Sequence, residues 1–229
     1  MVGHGLTLTD NCLTRNDWVC PLYVRTRSTE LVEATVSHVL ISFTAVVVAL
    51  LLAIPLALAV RRSPRWRRTL EGGAAVVYTI PSLALFVLLV PFTGLSALTV
   101  VIGLVLYAQT ILIRAVLVGL AAVPADVRDA AAGMGYGRGR LLLVVEAPLA
   151  VPTVMAGLRV AAVSTVALTT VGAIIGHGGL GDLIYAGLRS VFRAEVLTAS
   201  LLCVLLAVVA DLSLVGLQRV LTPWRRGVG

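Results

Sequence analysis

The chain has 229 residues, of which 59% are hydrophobic and 13% are charged, and its mean hydropathy is +1.02. This composition is too apolar for an ordinary soluble domain and places the chain in a lipid bilayer. All 18 basic residues are arginine, and they exceed the 11 acidic residues to give a net charge of +7. Because these arginines flank apolar segments, they indicate membrane topology rather than a nucleic-acid partner.

Residues 1–33 form a polar segment without the basic start and short apolar centre of a secretory signal. We expect an extracytoplasmic N-terminal segment that forms a short helix or cap, with Trp18 and Tyr23 as anchors at the membrane interface. Cys12 and Cys20 pair if this segment faces the oxidising side, and free thiols are the alternative. The histidines are far apart and have no neighbouring cysteine pair, so no metal site is expected.

Five apolar segments predict five transmembrane helices. Residues 34–60 carry no formal charge and form about 40 Å of helix, enough to cross a core of about 30 Å. Five arginines within residues 61–68 follow, and by the positive-inside rule they place this end in the cytoplasm and the N-terminus outside. The later helices are expected at residues 72–90, 95–118, 150–175 and 196–220.

The connections between these helices complete the predicted domain. A turn at 91–94 separates the second and third helices, and residues 176–195 form an external segment before the fifth. Residues 34–223 therefore make one transmembrane domain, and residues 224–229 a cytoplasmic tail.

Four polar residues in or beside the helices are candidates for the translocation path or for structural pairing. Arg114 either extends to the interface or faces the protein interior. Arg159 contacts backbone carbonyls or an acid such as Asp211, which is costly in the bilayer unless it is paired or hydrated. His177, in the external segment, is either substrate-facing or pH-sensitive, or an ordinary solvated histidine.

The most polar interior stretch, residues 124–147, predicts a cytoplasmic loop with two short helices. Pro124 suits the start of the first helix, and Asp126 and Asp129 lie where the helix dipole favours carboxylates. Small residues then give this helix a smooth face, and glycines end or bend it. A second helix over about 140–147 is expected to break at Pro148. An ordinary polar connection is the alternative reading.

One pattern in this stretch resembles the EAA loop of bacterial ABC importer permeases. It consists of Asp129-Ala130-Ala131, three residues, Gly135, nine residues, Val145, one residue and Ala147-Pro148. Asp129 replaces the usual glutamate, and Ala147 the usual leucine. Three further segments resemble the glycine betaine, carnitine and choline branch: 79–84 (TIPSLA), 156–159 (AGLR) and 175–184 (IGHGGLGDLI).

The resemblance implies an all-α membrane protein with the type I ABC importer (MetI-like) permease fold, located in a bacterial cytoplasmic membrane. In that family the loop forms a coupling helix that docks on an ATPase subunit. The residues assigned to this coupling loop are Asp126, Asp129, Ala130, Ala131, Gly133, Gly135, Arg138 and Pro148.

The resemblance also implies the partners and the substrate class. The chain itself is a non-hydrolytic permease subunit without a cofactor, and a dimer of separate ATPase subunits binds ATP and Mg. A second permease, identical or a sister chain, completes the pathway in the lipid membrane. An extracytoplasmic solute-binding protein delivers quaternary-amine osmoprotectants such as glycine betaine, choline or carnitine.

Other readings remain open. One is an importer permease for another small solute, such as an ergothioneine-like betaine or an amino acid. Another is an ATP-independent secondary transporter, which would predict internal repeats or several paired charges within the membrane. A small membrane enzyme would require a nucleophile, base or metal constellation, and the sequence presents none.

Overall fold

The computed structural model describes residues 11–224, and every regular element in that range is helical. Residues 1–10 and 225–229 lie outside the described residues, and with them part of the predicted N-terminal segment and nearly all of the predicted tail. Four helices are long and apolar enough to cross a membrane, or five if one bent pair of helices counts as a single span. The predicted all-helical membrane architecture is confirmed.

The first half of the chain contains two long helices separated by a bent pair. Helix α1 is the short segment Pro21–Thr26. The remaining elements of this half are α2 (Ser28–Val60), α3 (Pro64–Thr79), α4 (Ser82–Thr93) and α5 (Ala97–Ala121). Helix α2 has 33 residues and begins inside the segment that the sequence analysis assigned to the extracytoplasmic region.

The predicted second span is two helices, because α3 and α4 meet at an angle of 99°. Ile80 lies between them in an extended conformation (φ −70°, ψ 128°), which is the conformation that a following proline favours. The break leaves the Ile80 carbonyl without a helical partner, and the Tyr107 hydroxyl of α5 donates a hydrogen bond to it. The sequence analysis missed this bend.

The predicted turn at 91–94 is displaced toward the C-terminus. Pro91 lies inside α4, and the chain reverses at Gly94, whose φ of +72° favours glycine. Ser96 then caps α5 by accepting a hydrogen bond from the Thr99 N–H.

The second half begins with the polar loop and its two short helices, α6 (Ala125–Gly133) and α7 (Arg138–Leu141). A π-helical turn (Leu142–Glu146) leads directly into α8 (Ala147–Thr169), and a 3₁₀ turn (Thr170–Ile175) follows. The predicted break at Pro148 is therefore wrong. Pro148 lies in the first turn of α8, where a missing N–H is tolerated, and the wider π turn precedes it.

Two helices end the described chain: α9 (Leu180–Ser190) and α10 (Arg193–Leu221). The segment 176–195, predicted as an external connection, thus consists mostly of helix. Only 6% of the most apolar 18-residue stretch of α10 is buried, so this helix presents most of its surface to lipid or to a partner chain.

Helix α5 is the centre of the core and packs against α2, α3, α4 and α8. Its contact with α2 is close, because every fourth residue on one face of α2 is a fully buried alanine: Ala45, Ala49, Ala53 and Ala57. Small residues at such spacing allow helix backbones to approach closely in a membrane. The Gln109 side chain adds a 3.0 Å hydrogen bond from Nε2 to the Ala49 carbonyl.

The N-terminal segment packs on the corner between α9 and α10. Cys12 and Cys20 form a disulfide, which resolves the alternative left open by the sequence. Tyr23 is not an interfacial anchor, because its ring is buried edge-on against Phe192. Burial, reinforced by the Glu195 carboxylate, raises the pKa of Tyr23 to about 12. Trp18 is 54% exposed.

Candidate functional site

Helix α6 presents a continuous exposed stripe of small and acidic side chains. Asp126, Asp129, Ala130 and Gly133 are all exposed and follow the spacing i, i+3, i+4, i+7, so they share one face of the helix. Ala131 is 2% exposed and packs inward instead. Of the predicted coupling residues, four therefore form a surface that another protein can reach, and Ala131 anchors that surface to the bundle.

The turn after α6 depends on Gly135. Its φ is +81°, and its N–H donates to the Ala132 carbonyl at 2.9 Å. This left-handed conformation ends α6 and directs the chain toward α7. Met134 lies beside it with 68% of its surface exposed, which extends the exposed stripe with a flexible apolar side chain.

The two arginines of α7 are exposed. The guanidinium of Arg140 lies over the Tyr136 ring, 4.3 Å from its centroid, so the turn and α7 contact each other. Arg138, a predicted coupling residue, begins α7. Pro148 lies further on, in the first turn of α8, and is not part of the exposed stripe.

The end of the loop is tied to the first long helix by an ion pair that the sequence analysis missed. Arg61 Nη1, just after α2, lies 2.5 Å from Glu146 Oε2 in the π turn, with side-chain exposures of 18% and 9%. A lone carboxylate between apolar runs is the sequence signal that could have identified Glu146.

Arg159 and Asp211 join the α8 and α10 helices. Arg159 Nε and Nη2 donate to Asp211 Oδ1 and Oδ2 at 2.7 and 2.8 Å, a bidentate pair. The contact between these residues, one of the possibilities that the sequence left open, is present. This partly exposed pair connects α8 to α10 and includes no residue of the α6 stripe.

Neither remaining candidate joins these groups. Arg114 is exposed on α5 and forms no ion pair with residues 11–224. His177 lies between the 3₁₀ turn and α9, where its Nδ1 is 3.1 Å from the Ile175 carbonyl oxygen. Within the described part of the chain, no group of three or more histidine, cysteine or carboxylate side chains is placed to hold a metal ion.

A different histidine, His38, lies in a buried site with defined hydrogen-bond partners. His38 is fully buried in α2, with Nδ1 3.1 Å from the Gly178 carbonyl and Nε2 3.0 Å from the Val166 carbonyl. The Gly178 N–H in turn donates to both Asp182 carboxylate oxygens at 3.0 Å. His38 therefore ties α2 to the glycine-rich connection before α9. The sequence analysis did not single it out, because its partners are backbone atoms more than 120 residues away.

The fold is that of a multi-pass membrane protein, whose apolar helices pack around a central α5 and whose short exposed helix α6 follows it. Residues 45–227 match the family described as "Binding-protein-dependent transport system inner membrane component". The chain belongs to this family. It is thus a multi-pass inner-membrane protein, and the permease assignment predicted from the sequence is confirmed.

Curated relatives align over most of their length. The chain is 34% identical to the carnitine transport permease protein OpuCB of Listeria monocytogenes over 193 residues, 84% of this chain and 88% of the relative. It is 30% identical to the choline transport system permease protein OpuBB of Bacillus subtilis, over 88% of this chain and 93% of the relative.

A third relative carries a broader description. The glycine betaine/carnitine/choline transport system permease protein OpuCB of Bacillus subtilis is 29% identical over 201 residues, 88% of this chain and 93% of the relative.

Among solved structures, the fold is similar to a chain of the MetNI methionine ABC transporter in an inward-facing conformation. The TM-score is 0.78 at 21% sequence identity, and the match covers 86% of this chain and 98% of that chain. At this identity the likeness establishes the fold, and it confirms the predicted MetI-like permease architecture.

Proposed function

We propose that this chain is the transmembrane subunit of an ATP-driven importer for quaternary-amine osmoprotectants. The observation that carries the proposal is the similarity, over more than four fifths of the chain, to permeases described for carnitine, choline and glycine betaine transport. An importer permease of the same family for another small solute, such as an amino acid or an ergothioneine-like betaine, is the second candidate.

The arginine distribution supports an orientation with the N-terminus outside and the C-terminus in the cytoplasm. Arg61, Arg128 and Arg138 are on the same end of the bundle as α6, and the Cys12–Cys20 disulfide is on the N-terminal segment that packs on α9 and α10. Arginines favour the cytoplasmic side, and disulfides persist in oxidising compartments. Residues 124–147 then form a cytoplasmic coupling loop.

In the proposed mechanism, a separate ATPase subunit docks on the exposed stripe of α6. The ATPase subunits bind ATP and Mg, close as a dimer, and move α6, while this chain holds no nucleotide. Aligned carboxylates and small side chains give the stripe a shape and charge that a groove on a partner can match. Because the loop ends at the Arg61–Glu146 pair, motion of α6 is transmitted to α2 and α8.

The pathway requires a second permease subunit, identical or a sister chain. The largely exposed α10 and the exposed outer faces of α2 leave extensive apolar surface for that partner and for lipid. A solute-binding protein supplies the substrate from outside. Quaternary ammonium groups are recognised by aromatic cages, and a chain with 5% aromatic residues is poorly equipped to build one, so selection belongs to that protein.

Reconstitution of the complete transporter in proteoliposomes tests this function. We expect uptake of radiolabelled glycine betaine, choline or carnitine that requires ATP, the ATPase subunits and the solute-binding protein. Methionine serves as the competing substrate. ATP-dependent uptake of methionine without any betaine uptake would favour the second candidate, and betaine uptake without an ATPase would overturn the ATP-driven mechanism.

A further inference from the structure

A cavity of about 290 Å³ opens at the arginine-rich end of the bundle. Arg61 and Arg62 contribute from the end of α2, Arg67 from α3 and Arg128 from α6, and Glu146 also lines the cavity. The chain thus gathers arginines from three separate elements around one space.

The charges around this cavity do not balance. Glu146 is paired with Arg61, and Arg67 Nε contacts Glu71 Oε2 at 3.5 Å at the margin. Arg62 and Arg128 form no ion pair with any residue in 11–224. Guanidinium groups present planar forks of N–H donors that match the oxygens of a phosphate. The cavity therefore has the charge and the donors for a phosphate-bearing anion.

An apolar groove of about 280 Å³ adjoins this cavity. Leu120 lines both spaces, and the groove continues along the π turn past Leu142, Leu143 and Ala147 toward Leu221. Its walls expose no polar surface. A ligand that fills both spaces must have an anionic head and a hydrocarbon tail.

We propose that an anionic phospholipid binds here, with its headgroup phosphate among Arg62, Arg67 and Arg128 and one acyl chain in the groove beside Leu143. Basic pockets between transmembrane helices are recognised sites for anionic headgroups. The bilayer supplies such lipids at high local concentration. The bound headgroup bridges α2, α3 and α6, so it connects the membrane surface to the helix that carries the docking stripe.

The adjoining groove favours an anionic phospholipid over two other possible ligands of the cavity. A free phosphate ion would use the arginines but gain nothing from Leu143. An acidic side chain of an ATPase subunit would fill the cavity only in the assembled transporter and would then exclude lipid. The experiment distinguishes all three occupants.

The test uses the complete, delipidated transporter in detergent, titrated with short-chain phosphatidylglycerol, with phosphatidylethanolamine of equal chain length, or with inorganic phosphate. Native mass spectrometry counts bound lipid, and calorimetry measures affinity. We expect phosphatidylglycerol to bind, and Arg62→Gln with Arg67→Gln to weaken it about tenfold, because each lost charge-assisted hydrogen bond is substantial. The matched control is Arg65→Gln with Arg68→Gln, which removes the same charge from exposed arginines of the same segment that do not line the cavity.

A second pair of variants tests the acyl-chain groove without changing charge. Leu143→Asn is expected to weaken phosphatidylglycerol binding and leave phosphate binding unchanged. Val144→Asn, on the exposed neighbour outside the groove, is the control. Equal losses in both arginine pairs, phosphate binding as tight as lipid binding, or the absence of bound phosphatidylglycerol from the complete transporter would overturn the proposal.

Discussion

Arg61 Nη1 donates to Glu146 Oε2 at 2.5 Å and thereby joins the end of α2 to the π turn at the end of the polar loop. The rest of the loop is far less anchored, since within α6 only Ala131 is buried. A force applied to the exposed stripe of α6 therefore reaches the helix bundle through a loop whose far end is fixed. This relationship is the basis of the proposed coupling.

Glu146→Gln should destabilise the transporter, because it leaves a mostly buried Arg61 without its charged partner. The expected loss is about 2 kcal/mol, measured as a lowered thermal unfolding midpoint of the purified complex. Glu71→Gln, which removes an acid from the more exposed pair with Arg67, is the control and should cost less than about 1 kcal/mol. Equal effects of the two changes would show that the Arg61–Glu146 pair has no special structural role.

Gly135→Ala should impair coupling, because its φ of +81° becomes strained once a side chain is present. A strain of about 1 kcal/mol shifts a conformational equilibrium about fivefold, so substrate-stimulated ATP hydrolysis should fall by that order. In Gly135→Pro, substrate-stimulated ATP hydrolysis should fall further, since this change also removes the N–H that donates to the Ala132 carbonyl.

Gly139→Ala is the matched control for Gly135, because it adds the same methyl group to a helical glycine with open space around it. Membrane levels of all variants are compared by immunoblot. Normal substrate-stimulated hydrolysis in Gly135→Pro would argue against the assigned loop.

Much of this architecture could be predicted from the sequence, because long uncharged runs and arginine clusters report directly on a bilayer environment. The start of α6 directly after Pro124 follows from local propensity, and the cost of isolated charge in lipid made Asp211 one of the two kinds of partner expected for Arg159. The α6 stripe also follows from helical spacing once the helix is placed.

The remaining features depend on packing that no local pattern encodes. Pro81 favours the extended Ile80 at the 99° bend between α3 and α4, but the Ile80 carbonyl finds its hydrogen-bond donor only in Tyr107, 27 residues away. Pro148 fails to break its helix because a π turn precedes it. His38 acquires partners only when the glycine-rich connection folds back over α2.

Asp211→Asn is expected to lower assembly and stability more than it changes substrate choice. The asparagine amide cannot reproduce the bidentate, charge-assisted hydrogen bonds that join α10 to α8. The amount of complex that survives in detergent and its melting temperature measure assembly and stability. Competition among labelled betaines measures substrate choice. Exchanging the residues, Arg159→Asp with Asp211→Arg, should recover part of the lost stability. An altered substrate profile with normal assembly would instead place this pair in the translocation path.

Gly179→Ala should disturb the connection between α8 and α9. An added Cβ would lie 2.7 Å from backbone atoms of His38, and the φ of +59° is already unfavourable for alanine. Gly176→Ala is the control, because that glycine has a similar φ of +76° but open space around it. The melting temperature should fall clearly more for Gly179→Ala than for Gly176→Ala. Similar decreases would mean that backbone strain, rather than contact with His38, controls this region.

The proposed docking of an ATPase subunit on the α6 stripe is tested most directly by site-specific photo-crosslinking from position 130 in the assembled transporter. Ala130 belongs to the exposed stripe, and Phe92, 85% exposed beside the Gly94 turn, provides the matched control position. The account predicts a covalent adduct between position 130 and the ATPase subunit, and none from position 92. An adduct from position 130 to the extracytoplasmic solute-binding protein, or none to the ATPase in an active complex, would contradict it.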